Sequence, residues 1–564
     1  MITDKNIFPK KQPVPVLPLL AALFFLFSCG ENKPEHIAED KLEDSEKQKM
    51  VTDDIRLLLE GNTNEGILKI DSMVLFPGEE LVALYEKNEF TPYWSENGKM
   101  NQQSTLMLSA LDSAWYYGFD PEWYFQSAII KQLSSAEKDE NFVTKSKSLA
   151  TADILLTNAY MMHAVHLAKG FIDTSGMMRK AWKVDSVKID FHQCITTEEK
   201  DFLKILYSFQ PANIEYRQLQ FALSKFVRTN ELWKDEFEIP ESKKDSVGYW
   251  TMAKEVLLKM KYLDTATVKV DSMVTKAYVK FQELHAIDPD AKAGRHSRSS
   301  LSKSNYERFL QAALALEKWR WKKLTAELFF RVNIPSYELI ITRNDSILRK
   351  HRVITGAPDT KTPEFSAKIK WITLHPYWHL PHSISSTEFL WAAQRDSTYV
   401  RRNGYNVFNI DKSQATTSEI NWKKYSQNYF PFKVRQNGGY GNSLGLIVFH
   451  FPNKYDVYMH DTPTKYLFKR SVRAFSHGCM RLENPFSLGE FVMKNDRPKD
   501  TINADTLKNW ALRGYEQRLV LKKQIPINVD YITTTADSAG NIFFHLDIYG
   551  RDEKYMELLK AMDR

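Results

Sequence analysis

The sequence predicts a multidomain α+β protein: a helical N-terminal region, a small helical module, and a mainly β C-terminal domain. Three observations predict it. Apolar residues recur at helical spacing from about 51 to 240. Two amphipathic stretches joined by a short loop occupy 246 to 301. Past 325 the pattern changes to alternation, cut by turn residues.

The chain begins with an address. Lys5, Lys10 and Lys11 precede an apolar run, Val14 to Phe27, that is broken by Pro15 and Pro18 and is too short to span a bilayer comfortably. With the small residues of "LFSCG" behind it, this run makes residues 1–28 an expected secretory signal. Leu26-Phe27-Ser28-Cys29 resembles a bacterial lipobox, which makes Cys29 the expected lipidated residue; an uncleaved anchor with an incidental cysteine is the alternative. Residues 29–50 are dense in charge and are expected to be a tether.

In the helical region, 51–245, "STLMLSALDSAWYYGFDP" places Leu108, Leu111 and Trp115 at helical spacing, with Ser104 as cap and Gly118 as stop. "TADILLTNAYMMHAVHLAKG" repeats the pattern and ends at Gly170; its Met and His residues read as packing and surface. The module, 246–301, is followed by a connecting helix, 302–324. In the β domain, 325–550, "YELIIT-RNDS-ILRKHRVITG" and "LGLIVFHF-PNK-YDVYMH" read as hairpins, and "KIKWITL", "RLVLKK", "IPINVDYITT" and "GNIFFHLDIYG" as strands. The aperiodic stretch from about 380 to 430 reads as an insertion of the lid or binding-loop kind, and 551–564 as a tail.

Net charge is +7, mild and spread out, which argues against nucleic acid as a partner and leaves the N-terminal anchor as the membrane contact. The three cysteines are Cys29, Cys194 and Cys479. In an oxidising compartment a free thiol needs a reason.

Cys479 lies in "RAFSHGCMRLENP", ahead of a helix start with Asn484 as N-cap and Pro485 in the first turn, and with Phe486, Phe491 and Val492 able to face inward. Its thiolate is the nucleophile it could offer, and an imidazole must take the proton. His477 is adjacent in sequence, whereas His460 ends a strand that can lie beside the loop. Gly478 lets consecutive N–H groups converge, as an oxyanion hole requires. A zinc site from His460, His477 and Cys479 lacks a fourth ligand, so no metal and no cofactor are expected. A buried inert thiol and a disulfide to Cys194 stay open.

"YMHDTPTKYLF…RAFSHGCMRLENP", with "VITGAPDTKTPEFSAKIKWITLHPYWHLPHSI" and "RQNGGYGNSLGLIVFHFPN" ahead of it, resembles the L,D-transpeptidase catalytic domain of the YkuD type, in its YcbB-like branch. "LYEKNEFTPYW" and "GFDPEWY" resemble that branch's scaffold domain, and 246–301 resembles a peptidoglycan-binding helical module, although "DPDAKAG" departs from the usual turn. Met480 and His375 are further departures, and neither removes a catalytic atom. The resemblance implies a periplasmic, lipid-anchored enzyme of a Gram-negative bacterium. It would form 3→3 cross-links between a tetrapeptide donor stem and a diaminopimelate acceptor, releasing D-alanine. It makes Cys479 the nucleophile, His460 the base, Asp461 the orienter through its carbonyl, and Gly478 with Cys479 and Tyr458 the oxyanion hole. His477, Arg481 and Trp378 are implied as substrate-binding, and 380–430 as a substrate-capping insertion. Water, a D-amino acid or a protein amine as acceptor, or a non-catalytic wall-binding lipoprotein, are the competing functions.

Overall fold

The computed structural model describes residues 36–64, 67–75, 77–172, 189–264, 272–322 and 326–561. The expected signal segment 1–28 and Cys29 lie outside these residues.

The expected tether is corrected where the structure describes it. Ile37 donates its N–H to Asn141 Oδ1 at 3.0 Å and accepts from the Phe142 N–H at 2.7 Å. A helix, Asp44–Gly61, then begins at a Glu43/Glu46 capping box and buries Val51, Ile55 and Leu59. Charge density alone misled the reading, because the apolar face starts only at Val51.

The longest helix, α1 (Phe142–Lys169), is buried from Leu149 through Met161. A helix buried on all sides must be surrounded, and α1 is the axis of the helical core. Gly118 and Gly170 end their segments with positive φ, as expected. Ser104 does not cap its helix: Asn101 does, accepting from the Ser104 N–H at 3.0 Å, and Ser104 is buried one turn inside.

The segment read as a connector, 302–324, is the keystone. Helix α2 (Asn305–Arg320) is buried at every position from Arg308 onward. Buried charges need partners, and these come from all three regions, Arg320 donating to the Tyr117 carbonyl of the helical region at 2.6 Å. Arg308 Nε donates to His285 Nε2 at 3.1 Å in the small module. Gln311 reaches the carbonyls of Thr533 and His545, and Lys318 pairs with Asp552. The tail is likewise no tail: helix Glu553–Ala561 buries Leu559 in the helical core. The module keeps a core of its own, which reaches back to Trp233 and Ile239.

The β domain is built on strands β1 (Leu328–Asn333), β2 (Glu338–Arg343), β3 (Ser346–Gly356), β4 (Phe365–Leu374), β5 (Ile447–His450), β6 (Met459–His460), β7 (Ala474–Ser476), β8 (Met480–Leu482) and β9 (Gln517–Asp530). Their order is β7-β3-β8-β6-β5-β4-β9-β1-β2, and β2 also pairs with β3. Eight strands therefore close on themselves, and β7 is attached outside the ring at its edge on β3. "RLVLKK" and "IPINVDYITT" are one strand, β9, interrupted between Val520 and Ile525. "GNIFFHLDIYG" lies elsewhere: Ile542–Phe544 forms a hairpin with Thr534–Ala536 that packs on the helical core.

Between β4 and β5 the insertion folds into a cap with a small sheet, Trp378–His379, Tyr405–Phe408 and Lys433–Gln436, over a core of Phe389, Leu390, Trp422 and Phe430.

Candidate active site

Strands β6 and β8 run parallel, with Met459 opposite Met480 and His460 opposite Arg481. Side chains alternate along a strand. Met459 and Met480 are fully buried in the barrel core, so Tyr458, His460, Cys479 and Arg481 share the other face. All four line one cavity of about 280 Å³, together with His477 and, from the cap, Trp378 and Glu388.

The loop carrying Cys479 is held by side-chain hydroxyls. Thr362, fully buried, accepts the Gly356 N–H and donates to the Gly478 carbonyl, each at 2.8 Å. Ser476 Oγ donates to the Cys479 carbonyl at 2.5 Å and accepts the Gly478 N–H at 3.2 Å. Gly478 has φ 111°, the backbone state in which glycine is favoured. Its N–H donates to Ser476 Oγ, so Gly478 shapes the loop, and the Tyr458 hydroxyl is a donor beside the sulfur. Asn484 stands at the helix start in the left-handed region and makes no side-chain cap. The helix Pro485–Asp496 buries Val492, while Phe486 and Phe491 are only partly covered.

His460 is buried, and its Nδ1–H donates to the Asp461 carbonyl at 2.5 Å. That bond sets the tautomer and leaves Nε2 as the acceptor. The Asp461 carboxylate accepts the Leu446 N–H at 3.0 Å and pairs with Lys465, so the orienter is itself pinned. Burial, and next the Arg481 charge, push the His460 pKa down to about 4. Burial pushes the Cys479 thiol up, partly offset by hydrogen bonds from the Tyr458 main chain and hydroxyl. Both shifts favour a neutral thiol beside a neutral imidazole over a thiolate–imidazolium pair. Burial, and next the Cys479 charge, also raise the Tyr458 hydroxyl, keeping it a proton donor; the Trp378 side chain hydrogen-bonds it.

The thiol lies 3.9 Å from the Asp456 carbonyl. Arg481 Nη1 donates to Thr464 Oγ1 at 3.1 Å, which sets the guanidinium at the cavity wall. His477 Nε2 bonds Glu388 Oε1 of the cap at 2.5 Å. Cys194 and Cys479 are both free thiols. Cys194 packs against the helical core beside Tyr160, so no disulfide joins the two regions. Among the described residues no three His, Cys, Asp or Glu side chains converge as metal ligands. Sequence reading missed Ser476, Thr362 and Glu388. Of these only Ser476, inside "SHGC", stood next to the motif.

Residues 328–517 match the model of the YkuD L,D-transpeptidase catalytic domain, and residues 79–223 that of the scaffold domain. The chain is 30% identical over 224 residues to a protein of Haemophilus influenzae named "Putative L,D-transpeptidase". That match takes in 40% of this chain and spans 44% of the relative's length. Among solved structures, an L,D-transpeptidase from Mycobacterium smegmatis is 14% identical, with 36% of this chain and 59% of that one covered and a TM-score of 0.17. An L,D-transpeptidase from Stackebrandtia nassauensis is 13% identical, with 50% and 90% covered and a TM-score of 0.18. Scores of this size carry no argument. The two domain matches do: a YkuD-type catalytic domain behind a scaffold domain is consistent with the YcbB-like branch.

Proposed function

We propose that this chain, which carries an L,D-transpeptidase catalytic domain and a scaffold domain, joins peptidoglycan stem peptides by 3→3 cross-links through a thioester on Cys479. The observation that carries the reading is the meeting of Tyr458, His460, Cys479 and Arg481 on one face of β6 and β8.

In the first step Sγ attacks the carbonyl between diaminopimelate and D-alanine of a tetrapeptide donor while its proton passes to His460 Nε2. The Cys479 N–H and Tyr458 hydroxyl hold the oxyanion. His460 returns the proton to the departing D-alanine amine as the C–N bond breaks, and the C–S bond remains. In the second step the side-chain amine of a diaminopimelate on another stem attacks the thioester. Its proton goes to His460, the C–S bond breaks, and the sulfur regains a proton. A base of pKa about 4 stays unprotonated at neutral pH and is ready for both transfers.

The basic head and apolar run of residues 1–28 support export, with Cys29 lipidated and the enzyme held at the periplasmic face of a Gram-negative envelope membrane. Among the described residues no helix is long and apolar enough to cross a membrane.

Mass spectrometry after incubation with tetrapeptide muropeptides tests the reaction. The expected products are an acyl adduct on Cys479, free D-alanine and a dimer cross-linked between diaminopimelates. D-Alanine release by Cys479→Ala would remove the nucleophile assignment. Adduct and D-alanine with tripeptide but no dimer would make water the acceptor.

A further inference from the structure

The cavity around Cys479 is lined by one guanidinium and one carboxylate, Arg481 from β8 and Glu388 from the cap. Glu388 belongs to a π-helical turn, Ser385–Phe389, in which the Leu390 N–H bonds the Ser385 carbonyl five residues back. Such turns are rare and concentrate at functional sites. Here the turn buries Ser385, Ser386 and Phe389 in the cap and leaves the Glu388 carboxylate exposed at the cavity. Oε1 accepts from His477 Nε2–H at 2.5 Å, two residues from the nucleophile. That bond orients the carboxylate, and Oε2 keeps its lone pairs for a ligand.

We propose that Glu388 is the ammonium-recognising residue of this cavity, and that with Arg481 it selects the zwitterionic end of a diamino-acid side chain. The assignment rests on the reaction proposed above and deepens it. A diaminopimelate side chain ends in an ammonium and a carboxylate on one carbon. Arg481 has one nitrogen on Thr464 and others left to meet the carboxylate. Glu388 supplies the opposite pole, and two fixed poles impose an orientation that an apolar wall cannot. Donor and acceptor stems carry the same group, and an acceptor held as its ammonium must first lose a proton to solvent before the neutral amine attacks, so the experiment must tell the two apart.

Glu388→Gln retains an oxygen to accept from His477 and removes the charge. The donor arm compares D-alanine release from tetrapeptides whose side-chain amine is free or acetylated. The wild-type protein should prefer the free amine in kcat/KM by on the order of tenfold, and Glu388→Gln should bring that ratio near one. The acceptor arm follows breakdown of the preformed acyl-enzyme by an amine-bearing stem and by hydroxylamine, a nucleophile without positive charge at neutral pH. Glu388→Gln should raise KM for the stem relative to hydroxylamine by a similar factor. A change in either ratio supports the assignment and names the stem it serves. If both ratios stay at their wild-type values, Glu388 is only a latch between cap and loop and the proposal is overturned. A wild-type protein that forms no Cys479 adduct defeats the proposed reaction instead, before either ratio can be read.

Discussion

Thr362 offers the sharpest test of how the nucleophile is held. Its hydroxyl sits 2.8 Å from the Gly356 nitrogen and 2.8 Å from the Gly478 oxygen, at a fully buried position. Thr362→Val keeps the shape and removes both bonds, leaving one N–H and one carbonyl without their partner. A buried polar group left unsatisfied costs about 1–3 kcal/mol, so the pair should cost about 2–6 kcal/mol. The turn is closely packed at this point, since a Cβ added at Gly356 would meet the Thr360 carbonyl oxygen and the Thr362 nitrogen, the latter at 2.7 Å. For a domain of this size, at about 2–4 °C per kcal/mol, that corresponds to a fall in Tm of about 4–24 °C, measured by calorimetry on the full chain. The loop bearing Cys479 should also lose its set, and misplacing a nucleophile by about 1 Å costs on the order of 10²-fold in rate. Acylation by a tetrapeptide donor measures that loss. Thr362→Ser should restore most of both. Thr360→Val removes the half-buried bond to the Ser476 carbonyl, at 2.8 Å, where water can substitute, and should cost only about 0.5–1.5 kcal/mol. A Thr362→Val protein with wild-type Tm and acylation rate would refute the claim that this hydroxyl sets the loop.

Two further outcomes follow from the same cavity. Tyr458→Phe removes a donor at the sulfur and should lower kcat by about 10²–10³ while KM changes little; an equal loss in KM would make Tyr458 a binding residue instead. The charge state of the resting pair is testable by pH. Because His460 is pushed down to about 4 and the Cys479 thiol up, acylation should hold its rate from neutrality down to about pH 5. It should then fall as His460 takes a proton. Alkylation of Cys479 by iodoacetamide should rise only in alkaline solution, as the thiolate forms; a plateau of fast alkylation at pH 6–7 would indicate a resting thiolate–imidazolium pair.

How much of this was legible in the sequence depends on whether a residue's role is set locally or by distant chain. His460 and Cys479 were readable from residue type and from the resemblance of their motifs, whereas the shared face of Tyr458, His460, Cys479 and Arg481 on two short strands emerged only from the strand pairing. The glycine of "SHGC" was readable as a bend, but not the bond its N–H donates to a hydroxyl two residues earlier. Thr362 was invisible: it looks like any loop threonine until strand pairing brings Gly478, 116 residues away, onto its hydroxyl. Glu388 lies in the stretch without period, 89 residues from its partner His477. No local signal ranks it above the other charged groups of the insertion. Helix α2 failed in the opposite sense. "EKWRWKK" carries the charges of a surface helix, so it was read as a connector, whereas Lys318 finds Asp552 some 234 residues on and is buried.

These misses share a physical cause. A charge or hydroxyl enters the interior only when a partner arrives from elsewhere in the chain, and periodicity reports the apolar face without naming that partner. The motif thus identifies the atoms that react, while the groups that aim them are set by topology. The cap shows this most clearly. A chain segment with no readable pattern delivers the single carboxylate of the reacting cavity, and does so through one π turn and one histidine. If Glu388 discriminates charge as proposed, the choice of stem peptide is written in the insertion, and a cap of different sequence on the same barrel would change the substrate without touching Cys479 or His460.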